Sequence, residues 1–150
     1  MRSALDVAAS AAVGGDVPVG AVLVDPSGSI VARAANERER AGDATAHAEV
    51  LALRRGCIGV DGWRLDGYTL VVTLEPCTMC AGALVLARIS RLVYGAADPK
   101  AGAVGSLWDV VRDRRLNSRP EVVAGVLAEE CGDMLRDFFS TQRGTAPPVP

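Results

Sequence analysis

The chain has 150 residues, of which 49% are hydrophobic and 23% charged, enough apolar surface for one folded domain and too much for a disordered chain. Sixteen basic residues against eighteen acidic ones give a net charge of -2. That excludes nucleic-acid binding by overall positive charge, though not by a local basic patch.

Leu5, Ala8, Ala9, Ala12 and Val13 recur at helical spacing and predict an opening helix over residues 3–14, stopped by Gly14-Gly15. Residues 17–24 form a continuous apolar run, Asp25-Pro26-Ser27-Gly28 a turn, and residues 30–35 a second strand. This reads as a β-hairpin whose first strand is buried on both faces. A short helix over 45–55 is expected to close at Gly56, and a buried strand follows at 68–74. Pro76 opens a helix to about residue 88, since proline fits a first helical turn. A short strand at 92–94, a long connection over 95–119, a strand at 121–125 and a closing helix over 127–142 complete the domain, taken as 1–143. Residues 144–150 read as a disordered Pro-rich tail. A hairpin followed by strand–helix–strand–helix units implies a mixed sheet with parallel central strands and helices on both faces. Asp6 interrupts the Ala-rich start and no apolar run reaches 18 residues, so the expectation is a soluble, cytoplasmic protein with no membrane partner.

The residues that carry chemistry are few. There is one histidine, His47, and four cysteines: Cys57, Cys77, Cys80 and Cys131. Cys77 and Cys80 form a C-x-x-C pair at a predicted helix start, so both sulfurs project from one face of one turn. Unpaired N–H groups and the helix dipole favour thiolates there, the form that binds metal. His47 stands at another helix start and can supply a neutral imidazole. A structural zinc takes four protein ligands, whereas a catalytic zinc keeps one position for water. Cys57 lies ten residues beyond His47 on the same predicted helix, roughly 15 Å along its axis, and is too far to join. Cys131 stays open as a fourth ligand, but three ligands and a water is the simpler set. Glu49, two residues from His47, could then take a proton from that water and pass it to a leaving amine. Its other reading is a carboxylate that favours the helix dipole. Iron can occupy similar ligand sets.

His47-Ala48-Glu49 and Pro76-Cys77-Thr78-Met79-Cys80 fit the H-x-E…P-C-x-x-C signature of zinc deaminases. Within that superfamily, residues 3–142 resemble the bacterial tRNA-specific adenosine deaminase family. The stretches that carry the resemblance are residues 16–22, 45–49, 72–77 and 80–83, the Gly105-Ser106-Leu107 loop, and Asp137-Phe138-Phe139. The resemblance implies a three-layer α/β/α cytidine-deaminase-like fold with a five-stranded mixed sheet, one Zn2+ per subunit and a homodimer. It implies hydrolytic conversion of the wobble adenosine to inosine in the anticodon stem-loop of an arginine tRNA. Zinc-bound hydroxide would attack C6, and Glu49 would protonate a ring nitrogen and then the departing amine. His47, Cys77 and Cys80 become the zinc ligands, Asn36 a purine contact, Asp98 a residue near the ribose and Phe139 an aromatic contact to the anticodon loop. Asn36 also reads as a turn former, Asp98-Pro99 as an ordinary turn start, and Phe139 as a core residue. Arg112, Arg114, Arg115 and Arg119 cluster in the long connection and could hold phosphates, or form a solvated face. Asn117-Ser118 stands where family members commonly have Asn-His, and the tail lacks their basic residues. The low net charge and that tail fit a deaminase of a free nucleobase or nucleoside, whereas the 98–107 loop and Phe138-Phe139 fit the tRNA enzyme.

Overall fold

Continuous apolar runs in the central strands, buried on both faces, decide the layering. In a computed structural model that describes residues 1–60 and 62–145, α1 (Arg2–Val13) is followed by the hairpin β1 (Gly20–Val24) and β2 (Ile30–Ala35). Then come α2 (Arg38–Ala41), α3 (Ala48–Ile58), β3 (Thr69–Leu74), α4 (Thr78–Leu86), β4 (Arg91–Ala96), β5 (Glu121–Val123) and α5 (Ala128–Thr145). The strands pair in the order β2-β1-β3-β4-β5; β1 is antiparallel to both neighbours, while β3, β4 and β5 run parallel. Successive side chains point to opposite faces. Ala21, Leu23, Leu70, Val72 and Leu92 therefore pack with Ala52, Leu53, Ala81 and Leu84 of α3 and α4. Val22 and Val71 meet Ala4 of α1 on the other face, where Cys131 of α5 joins Leu5 and Ala96. The result is the expected α/β/α arrangement around a five-stranded mixed sheet.

Several boundaries differ from the sequence reading, each for a local reason. The hairpin turn is as expected, with Asp25 Oδ1 accepting from the backbone N–H groups of Ser27 and Ser29, both at 2.9 Å. β1 starts only at Gly20, where any Cβ would collide with the Ala4 carbonyl of α1. Gly56 does not end α3 but lies inside it, because a Cβ there would run into Leu23; Gly59 caps the helix instead. Pro76 stays outside α4, whose N-cap is Cys77. The one-turn α2 has no sequence signature and is held from outside: Asp16 Oδ1 accepts from Glu39 N–H at 2.7 Å and its Oδ2 from Arg40 N–H at 3.1 Å. The closing helix includes Gly144 and Thr145, and the remainder of the expected tail, 146–150, lies outside the described residues. No described helix is long and apolar enough to cross a membrane.

Candidate active site

The carboxyl ends of β3 and β4, the start of β1 and the end of β2 all lie at one end of the sheet, the place where open α/β sheets bind ligands. Two helices begin there. His47 is the N-cap of α3 and Cys77 the N-cap of α4, both with extended backbone, and Cys80 lies buried in the first turn of α4. The His47 Nδ1 atom is 3.7 Å from Cys77 Sγ and 3.6 Å from Cys80 Sγ. A tetrahedral zinc with bonds of about 2.3 Å to sulfur and about 2.0 Å to nitrogen requires N···S separations of about 3.6 Å, so the donor set fits one Zn2+ as it stands. Cys131 is settled by the fold: it sits under Gly95 on the opposite face of the sheet. The Sγ of Cys57, at the far end of α3, donates to Trp63 O at 3.6 Å. Among the described residues, His47, Cys77 and Cys80 are the one group of three such ligands.

Of the three donors, Cys77 is the one shifted towards the form that a cation binds. A hydrogen bond from the Cys80 thiol, against the opposing effect of burial, brings Cys77 down to about 4, with His47 helping. Cys80 is pushed up by that same bond and by burial, so the two sulfurs share one proton between them. His47 is raised by its hydrogen bond to Cys77. Glu49, 4% exposed in the first turn of α3, is pushed up to about 7 by burial, against its own backbone N–H and the nearby His47. A carboxyl that holds and releases a proton near neutrality is what proton transfer to a leaving group needs.

A cavity of about 220 Å³ opens over this centre, lined by Asn36, Arg38, Glu49, Cys77, Asp98 and Ala101 among others. Asn36 Nδ2 donates to Val17 O at 3.3 Å, which fixes the plane of its amide. Asp98 Oδ1 closes a turn by accepting from Lys100 and Ala101 N–H at 2.9 and 3.2 Å. A larger hollow of about 410 Å³ between α1 and β2 contains neither His nor Cys. The other expected contacts do not line the catalytic cavity. Phe139 is exposed on α5, edge-on to Phe138 at 5.5 Å between centroids. Arg112 is half-exposed and donates to Val104 O at 3.2 Å and Asp109 Oδ2 at 2.8 Å, so it braces the connection. Arg119 is exposed just before β5. Sequence reasoning missed Arg38 and Glu75, which both line the cavity. Glu75 had a signal, a charged residue at the end of an apolar strand; Arg38 had none.

Three donors rather than four, with the buried carboxyl of Glu49 two residues from one of them, form the arrangement of a catalytic zinc centre, and on this fold the class is the zinc-dependent deaminases. Residues 1–96 match the cytidine and deoxycytidylate deaminase zinc-binding region, and the chain belongs to that family. It is 50% identical to a tRNA-specific adenosine deaminase of Bacillus subtilis over 143 residues, 95% of this chain and 88% of that protein. Among solved structures, one from work on A-to-I editing by tRNA:A34 deaminases superposes with a TM-score of 0.86 at 44% identity, covering 90% of this chain and 97% of that one. A guanine deaminase of Nitrosomonas europaea superposes with a TM-score of 0.77 at 25% identity, covering 93% of this chain and 82% of that one.

Proposed function

We propose that the protein deaminates adenosine to inosine at the wobble position of a tRNA, an arginine tRNA in particular, in the cytoplasm. The observation that carries this is the depth of likeness to tRNA-specific adenosine deaminases over nearly the whole chain, with 44% identity to the tRNA:A34 deaminase structure against 25% to the guanine deaminase of Nitrosomonas europaea. His47, Cys77 and Cys80 would hold the zinc, which when bound supplies Lewis-acid activation of a water. Glu49 accepts a proton from the water that adds to C6 and delivers it to a ring nitrogen; it then takes the remaining proton from the hydroxyl on C6 and passes it to the amine, so that the C6–N bond breaks, ammonia leaves and C6 becomes the carbonyl of inosine. Asn36 orients the purine and Asp98 meets the ribose at the cavity mouth. Phe139, Arg112 and Arg119 lie outside the cavity, so any contact they make is with the rest of the anticodon stem-loop. A base inside a folded stem-loop must leave its stack to enter such a cavity.

A homodimer is part of this reading. Ile58, Leu86 and Trp63 are 85%, 73% and 57% exposed beside a shallow apolar hollow along α3 and α4. An exposed apolar patch of this kind supports an interface with a second copy of the chain, and it lies along the two helices whose starts carry His47, Cys77 and Cys80.

The test is inosine formation in an arginine anticodon stem-loop carrying adenosine at the wobble position, with free adenosine, cytidine and guanine alongside. Conversion of the stem-loop alone is expected. Ammonia release from a free base or nucleoside, with the stem-loop untouched, would reassign the substrate and leave the zinc chemistry standing.

A further inference from the structure

Glu75 follows β3 directly, is 2% exposed, and belongs neither to the ligand set nor to the proton path. A buried carboxylate is costly unless its oxygens are fully hydrogen-bonded. Here every donor comes from one segment, residues 98–106. Oε1 accepts from the backbone N–H groups of Val104 and Ser106, both at 3.0 Å. Oε2 accepts from the backbone N–H of Asp98 at 3.0 Å and from the Ser106 hydroxyl. The segment closes so tightly that a Cβ at Gly102 would lie 2.5 Å from the Glu75 carboxylate and 2.6 Å from the Asp98 carbonyl oxygen, so glycine is required. A second tie joins Ala103 N–H to Pro76 O at 2.8 Å, beside the ligand Cys77. The same segment supplies Asp98 and Ala101 to the cavity wall.

We propose that Glu75 is a positioning residue for substrate: its carboxylate is the template on which residues 98–106 fold, and it sets Asp98 at the cavity mouth in fixed relation to Cys77. This gives the Gly105-Ser106-Leu107 stretch a role that the proton chemistry leaves unexplained, because Ser106 is the residue that binds Glu75 twice. The inference rests on the reading that the cavity receives a nucleotide of an RNA chain.

Glu75→Gln keeps the shape but turns one acceptor oxygen into an NH2 group facing N–H and O–H donors. The variant should hold as much zinc as the wild type, with faster amide exchange at Asp98, Val104 and Ser106. Its KM for the stem-loop should rise about tenfold while kcat stays within about threefold. Because Glu75 acts through Asp98, adding Asp98→Asn should raise KM no further than the larger single effect. Multiplying KM effects, or a lower melting temperature with unchanged KM, would make Glu75 a purely structural residue and overturn the proposal. Ser106→Ala removes one donor and should show the same pattern at about threefold in KM; it decides the matter if Glu75→Gln does not fold. Should the wild type convert a free base and not the stem-loop, the RNA reading falls. The same KM comparison on that base then decides the role of Glu75.

Discussion

Between the sheet and the helices α3 and α4 the buried side chains are Leu23, Leu53, Leu70, Leu84, Ile89 and Leu92, whereas at the carboxyl ends of β3 and β4 they include Asn36, Glu49 and Glu75. Two more buried polar residues, Asp16 and Thr73, belong to that same end: Asp16 holds α2 next to Asn36, and Thr73 Oγ1 accepts from Gly20 N–H at 3.2 Å. Burying polar groups destabilises a fold unless each finds a partner. Among the described residues, the buried polar residues gather at the end where the candidate metal ligands stand. The two regions should therefore respond differently to substitution, one through turnover and the other through stability.

The largest effect is expected at the polar end. Glu49→Ala should lower kcat by about 10²–10⁴-fold with zinc content unchanged, whereas His47→Ala should lose metal and activity together. Metal analysis beside turnover separates the two, and normal deamination by the Glu49 variant would break the contrast. Next comes the apolar region. Leu92→Ala should cost about 2–5 kcal/mol in urea unfolding while the folded fraction keeps its zinc and its KM. A shift in KM without loss of stability would show that the regions are not separate. The smallest effects belong to the rim. Arg112 pairs with Asp109, and Arg115 with Asp113 at 2.5 Å, whereas Arg114 and Arg119 make no ion pair with a described residue. Arg114→Gln and Arg119→Gln should each reduce the salt dependence of stem-loop binding by up to about one unit of log–log slope. An unchanged slope in both variants would place the RNA elsewhere on the surface.

How much of this was legible beforehand depended on the range of the interaction. The C-x-x-C spacing and the H-x-E pair lie within single helical turns, so their chemistry could be read directly from residue order. The hairpin was legible too, because Asp25 satisfies its own turn. By contrast, Gly56 looked like a helix end from its neighbours, and only the approach of Leu23 from β1 shows it as an interior residue. Nor does a place in an arginine cluster tell that Arg112 donates to Val104 O and Asp109, contacts that only the folded connection brings together.

The sequence by itself determined the Cys77-Cys80 pair, the His47-Glu49 pair and the apolar strands and helices that build three layers, because each is set within one helical turn or one continuous run of residues. The tertiary structure decided what lies between distant segments: that Cys131 is on the far face of the sheet, that Arg38 lines the cavity, and that Glu75 gathers residues 98–106 around itself. Those relations depend on strand order and on which chain segments cross the same end of the sheet, and no local periodicity encodes either.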